Sequence, residues 1–163
     1  MSRKSPEEDL HSRLTGEAMR AVRLLRRMRP AEVAEAMALP VRTYEHLEAG
    51  KGRISYHRLL LFAEATSSDA FAISAAVAMK DPQFAVWCAD NKLAKIMMIA
   101  MSELKDELGP DLVYIQSGLI IGAMTRIFKE LVENVRRRDT FAETWLEQGT
   151  ARIHDVRRSG HSD

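Results

Sequence analysis

Ala31-Glu32-Val33-Ala34-Glu35-Ala36-Met37-Ala38-Leu39-Pro40-Val41-Arg42-Thr43-Tyr44-Glu45-His46-Leu47-Glu48-Ala49-Gly50-Lys51 is the stretch that decides how this chain folds. Val33, Ala34 and Met37 fall at helical spacing, which predicts a short helix over 31–38 with one face turned to a core. Pro30 opens that helix, and Leu39-Pro40 ends it because the residue before a proline avoids the α region. A second helix follows over 41–49, with Tyr44, Leu47 and Glu48 pointing inward and Gly50 as its closing residue. A turn this tight cannot hold two helices antiparallel. They must cross steeply, leaving the second one projecting with a free face. Val41, Arg42, Glu45 and His46 share that face near the first turns.

Upstream, Thr15 is expected to cap a helix running to about Arg27, with Met19, Val22 and Leu25 inward and Arg20, Arg23, Arg26 and Arg27 on its other faces. Ser5-Pro6-Glu7-Glu8 sets a cap, a first-turn proline and an N3 acid in order, so a brief helix or an ordered arm occupies residues 1–14. Downstream, a fourth helix spans 55–65, and Thr66-Ser67-Ser68-Asp69 is a loop and cap before a small-residue helix through Ala78. Asp81-Pro82 is a fresh start signal, which puts a domain boundary at 79–82. Residues 82–108 read as one helix or two joined near Asp90-Asn91, since Leu93, Met97, Ala100 and Leu104 repeat while Phe84 and Trp87 start an offset stripe. Gly109-Pro110-Asp111 stops the chain again. A helix over 112–137 carries a broad apolar face, Thr140-Phe141-Ala142-Glu143 supplies a capping box for a last helix to about Arg157, and residues 159–163 form a tail. The expected fold is all-α: a five-helix helix-turn-helix domain over 15–79, then a C-terminal helical domain of three to four helices over 82–158.

With 163 residues, 46% of them hydrophobic, the chain is one ordinary domain or two small ones, which excludes a large multidomain enzyme. The net charge of +1 hides an asymmetry: residues 20–58 hold nine basic side chains against four acidic, and a polyanion would be drawn there. Cys88 stands alone, so no intrachain disulfide and no cysteine metal cluster can form, which suits a reducing cytoplasm. The histidines are scattered outside any metal-ligand motif, and no phosphate-binding glycine loop surrounds Gly50-Lys51-Gly52. Neither a metal, a cofactor nor a catalytic residue is expected, and the chain does not read as an enzyme. Leu112–Met124 is too short, and too interrupted by Gln116 and Ser117, to cross a bilayer.

A projecting helix with an arginine on its outer face has the shape of a DNA reader, since the Arg42 guanidinium can bridge O6 and N7 of a guanine in the major groove. At these residues the segment from about Gly16 to Ala75 resembles the phage-repressor-like helix-turn-helix family, also called the XRE family. The likeness rests on Arg23, Val33-Ala34, Thr43-Tyr44, Leu47-Glu48-Ala49-Gly50-Lys51 and Leu59 to Ala65, and covers just over a third of the chain. It implies a five-helix domain that binds operator DNA, usually as a dimer. It also implies an ion pair between Arg23 and Glu48, base contacts from Val41, Arg42 and His46, and phosphate contacts near Thr43, Lys51 and Arg53. Glu45 has two readings, a base contact or an i, i+3 partner of Arg42. Three positions depart from the family pattern. Arg29-Pro30 replaces a polar cap and glutamine, leaving Arg29 as the substitute phosphate contact. Ala38 stands where a turn glycine is usual, at a cost of roughly 1 kcal/mol if φ is positive there. Pro40 takes the position of the recognition-helix cap.

In the C-terminal part, Leu93, Met97, Leu104, Leu119, Ile127 and Leu131 are expected to make a dimer interface, because a unit this small cannot bury so broad an apolar face alone. Gly118 and Gly122, four apart, allow another helix to approach closely. Met97, Met98 and Met101 suit packing, or a ligand pocket. The functional expectation is a sequence-specific DNA-binding transcription regulator, a repressor, that meets an inverted-repeat operator as a homodimer through helix 41–49. Its partners are double-stranded DNA and a second copy, with no membrane, and its place is the bacterial or phage-infected cytoplasm, on the nucleoid when bound. The alternative is an antitoxin-like or phage-derived interaction module whose C-terminal domain binds another protein or a small ligand.

Overall fold

The computed structural model describes residues 5–159, with the side chains of residue 139 and of 149–159 left aside. The described chain is all helical: α1 (Pro6–Leu25), α2 (Pro30–Ala36), α3 (Val41–Glu48), α4 (Tyr56–Ala65), α5 (Ala70–Met79), α6 (Gln83–Trp87), α7 (Leu93–Leu108), a 3-10 turn (Gly109–Tyr114) and α8 (Ser117–Ser159). It divides into two compact units, Met1–Glu107 and Leu108–Asp163. No single helix among the described residues is long and apolar enough to cross a membrane.

In the first unit, α1 is the central element, packed by α3, α5 and α6, while α2 joins α3 and α4. The helix begins well before Thr15. Ser5 caps it, accepting from Glu8 N (3.2 Å) while the Glu8 carboxylate accepts from Ser5 N (3.1 Å), a complete capping box. Of the expected arm, residues 1–4 lie outside the described residues, and from Pro6 onward it is the first part of α1, held there by buried Ser12 and Leu14. Thr15 therefore caps nothing. It sits in mid-helix and its hydroxyl donates back to the His11 carbonyl at 2.8 Å.

The core gathers Met19, Val22, Val33, Tyr44, Phe62 and Ile73, all fully buried. Helix ends are closed by residues in the left-handed region. Arg27, Ala38, Ser67 and Lys80 take φ of 56°, 52°, 51° and 56° without being glycine. At Ala38, Leu39 N donates to Ala34 O (2.9 Å) and Ala38 N to Glu35 O (2.9 Å), the paired bonds of a Schellman ending.

Residues 82–108 form two helices. α6 stops at Trp87, Lys92 takes φ +56°, and the Asn91 carboxamide oxygen accepts from Leu93 N to start α7. The expected boundary at 79–82 is no gap in packing, because α6 lies on α1 and α5 with Ala85, Cys88 and Ala89 buried; the division between units falls after Glu107. Asp69 ties the start of α7 to this unit. Its buried carboxylate caps α5 through Phe71 N and Ala72 N, and its second oxygen accepts from Lys95 N at 2.9 Å.

The second unit is the 3-10 turn followed by one long helix. The expected break before Thr140 does not occur: α8 runs through it, and the Thr140 hydroxyl donates to Arg136 O (2.9 Å) instead of capping a new start. Within the described residues the expected tail is represented only by Ser159, the last residue of α8.

Candidate nucleic-acid interface

The projecting helix is α3. Pro40 offers no side-chain cap, so its first turn hangs on the Pro40 carbonyl, which accepts from Thr43 N (2.9 Å) and Tyr44 N (3.1 Å). Tyr44 and Leu47 bury its inner face, and the Tyr44 ring stacks on Phe62 with centroids 6.4 Å apart. Gly50, at φ +68°, ends it: Gly50 N donates to Leu47 O and Lys51 N to His46 O, both at 3.0 Å. The outer face then presents Val41, Arg42, Glu45 and His46 to solvent, with Thr43 half-buried beside them and exposed Lys51 just past the end.

What holds this helix in place is polar and partly buried. Arg23 from α1 grips the Glu48 carboxylate with two donors, Nε to Oε2 at 3.0 Å and Nη2 to Oε1 at 2.5 Å, and its third donor reaches the Met28 carbonyl at 2.9 Å. Both side chains are about nine-tenths covered (10% and 9% exposed), so every donor direction used is satisfied inside the protein. The bond to Glu48 lifts the Arg23 guanidinium above its ordinary value, fixing its charge. Tyr44 Oη is buried next to this pair without a hydrogen bond of good geometry, and burial, with the Glu48 charge, pushes its phenol well up. Arg20 adds a longer contact to Glu48 at 4.0 Å from an exposed position.

Close approach of backbone completes the joint. A Cβ on Gly16 would collide with the Glu48 carbonyl oxygen and stand 2.9 Å from Gly50 N, and a Cβ on Gly50 would stand 2.7 Å from Arg13 Cα. Glycine at 16 and 50 is what lets α1 pass directly under the end of α3. Gly16 escapes a reading based on apolar periodicity; the available signal is a lone glycine inside a helical pattern, which marks such an approach.

The remaining cations divide by partner. Among the described residues Arg42 and Lys51 make no ion pair, and none joins Arg42 to Glu45. Arg29 is turned back on Glu32, its Nη2 3.0 Å from Oε1, while Arg29 N donates to Oε2 at 2.6 Å. These bonds hold the Glu32 carboxyl below its usual range. Arg53 lies 3.4 Å from Glu8 at the start of α1. Arg26, the C-cap residue of α1, is directed inward: it donates to Thr66 O and Ser67 O and pairs with Asp90. That pairing holds the Asp90 carboxyl down. Burial raises the thiol of Cys88, as suits a packing residue.

Of the residues expected to make an interface between copies, Leu93 and Met97 are half-buried, while Leu104, Leu119, Ile127 and Leu131 are 42–65% exposed. Among the described residues of its own unit, nothing lies within 4 Å of a Cβ built at Gly118. Among the described residues no group of three or more His, Cys, Asp or Glu side chains could hold a metal ion. No protein-family model, curated protein or solved structure matches the chain.

Proposed function

We propose that this protein is a sequence-specific DNA-binding transcription regulator that represses from an inverted-repeat operator as a homodimer, reading bases through α3. The observation that carries this reading is the state of Arg42: exposed on the outer face of α3, with no acidic side chain among the described residues holding it. An unpaired guanidinium there is free to take the paired acceptors of a guanine, and Lys51 beside it is free for phosphate. His46 and Val41 flank Arg42 and would touch neighbouring base edges. Arg23, Glu48, Gly16 and Gly50 keep α3 at a fixed distance from α1, which a reader of base edges requires. Arg29 and Arg53 reach phosphate only by exchanging their exposed pairings with Glu32 and Glu8, which water and salt screen, for a phosphate contact.

Selection of bound fragments from random duplex DNA at near-physiological salt tests the reading. An enriched inverted repeat, with half-sites about one helical turn apart, supports it. Absence of any enrichment overturns it and moves attention to the exposed apolar faces of α7 and α8, where Ile96, Ile99, Leu119 and Phe141 stand open to a protein partner.

A further inference from the structure

We propose that α8 pairs antiparallel with the α8 of a second copy, with the two-fold axis crossing the helix at Glu133. The proposal rests on the dimeric part of the reading above and on no contact with DNA.

α8 has 43 residues, a rod of about 65 Å, and among the described residues its own unit offers only a 3-10 turn to cover it. Ile121, Met124, Phe128 and Leu131 repeat at four and three, and the same spacing continues through Val135, Arg138, Ala142 and Trp145. This seam is flanked on one side by Ile120, Ile127 and Phe141 and on the other by Val132 and Leu146. The opposite face holds Arg126, Lys129, Glu130, Glu133, Arg136 and Arg137. A band four residues wide in each heptad, apolar except at Thr125, Asn134, Arg138 and Asp139, is built to be covered along most of its length. Met124 is half-buried, and the other large apolar side chains of the band are 42–73% exposed. Covering them would remove on the order of 800 Å² per copy, the area a stable interface takes from each partner.

Arg138 selects the orientation. It occupies a seam position, so a parallel in-register pair would set it directly against the partner's Arg138, two like charges inside an apolar seam. An antiparallel pair centred on Glu133 separates them and puts Arg138 over the ring of the partner's Phe128, where a guanidinium is attracted to the π face. The other layers then match in kind and size: Leu131 meets the partner's Val135, Met124 the partner's small Ala142, and Ile121 the partner's Trp145. On the flanks, Ile127 meets the partner's Phe141, Val132 meets its own copy and Asn134 meets its own copy. Shifting the register by one heptad toward the C-terminus sets Arg138 against Val135, and shifting it the other way leaves Trp145 uncovered.

The test uses the full chain without DNA, with the buried Cys88 replaced (Cys88→Ala) and one cysteine returned at a time. Asn134→Cys and Ile121→Cys are both at positions exposed in the single chain, so neither disturbs its core, and Ile121 lies at the outermost layer of the seam, away from the axis. Sedimentation at micromolar concentration is expected to give twice 18.4 kDa. Under mild oxidation Asn134→Cys is expected to form a covalent dimer at least tenfold faster than Ile121→Cys. The reverse order of rates would establish a parallel pair, and a monomeric mass for the full chain would remove the second copy; either result overturns the proposal. Loss of DNA enrichment with the cross-link intact would count against the DNA reading alone.

Discussion

Gly16 of α1 and Glu48 of α3 touch through backbone: any side chain at 16 would collide with the Glu48 carbonyl oxygen. The same Glu48 receives Arg23 from two turns further along α1. One helix thus holds the end of the other both by contact and by charge, and the orientation of the outer face of α3 depends on both.

Gly16→Ala is expected to destabilise the protein by roughly 1 to 2 kcal/mol. Alanine gains about 1 kcal/mol of helix propensity, but the collision is with backbone that has no rotamer to yield, which puts the overpacking cost at the upper end of its usual range, about 2 to 3 kcal/mol. Urea unfolding measures the balance. A variant as stable as the parent would mean that α1 and α3 can separate freely.

Tyr44→Phe is expected to be neutral or slightly stabilising at pH 7, since it removes a buried hydroxyl that makes no hydrogen bond. The alkaline limb distinguishes the two proteins. Below the ordinary tyrosine value near 10 the phenol is protonated in both folded and unfolded chains, so its contribution is fully present. Above that pH the unfolded chain releases a proton that the raised phenol of the folded chain retains, and stability falls by about 1.4 kcal/mol per pH unit. Unfolding curves between pH 8 and 11 should show this decline in the parent and a shallower one in the variant; matching slopes would refute the assignment.

The interior of the first unit is legible from periodicity alone. Val33, Ala34, Met37, Tyr44 and Leu47 read as inward from their spacing, and each is at most 5% exposed. Two threonines mislead because a capping motif is local and says nothing of what precedes it. Thr15 and Thr140 both have helix behind them, and both donate to the carbonyl four residues back. The cations at the site are legible as cations but not as free or engaged. Arg26 is claimed by Thr66, Ser67 and Asp90, and Arg53 by Glu8, partners 40 or more residues away in the chain that no charge count reveals. Gly16 is invisible to apolar pattern for the same reason, since its contact lies 32 residues on.

Ala38→Gly is expected to stabilise the chain by about 0.5 to 1 kcal/mol. Ala38 holds φ +52° at the end of α2, where a Cβ crowds the following carbonyl at a cost of about 1 to 2 kcal/mol. Glycine removes that crowding and gives back part of the gain as freedom in the unfolded chain. A lower urea midpoint for the variant would show that the turn carries no strain.

Where the chain is cut decides whether the first unit survives. A chain ending at Glu107 keeps α6 on α1 and α5 and should unfold cooperatively. Ending at Lys80 uncovers the surface that Ala85, Cys88 and Ala89 bury, at a loss of about 2 to 4 kcal/mol in line with other core deletions. Thermal unfolding of the two fragments makes the comparison, and equal midpoints would show α6 to be dispensable.

Arg42→Ala should leave folding intact, because the side chain is exposed and makes no ion pair among the described residues. On the selected operator it is expected to cost about 1 to 3 kcal/mol, concentrated at one base position, since a bidentate guanidinium discriminates one base pair. Lys51→Ala should instead weaken binding alike on operator and unrelated DNA and lower the salt dependence by about one phosphate, as an unspecific contact does. Titrations of both variants against operator, single-base variants of it and unrelated duplex at two salt concentrations separate these effects. If the Arg42→Ala loss is the same on every sequence, Arg42 is a phosphate contact and the base reading passes to Val41 and His46 on the same face of α3.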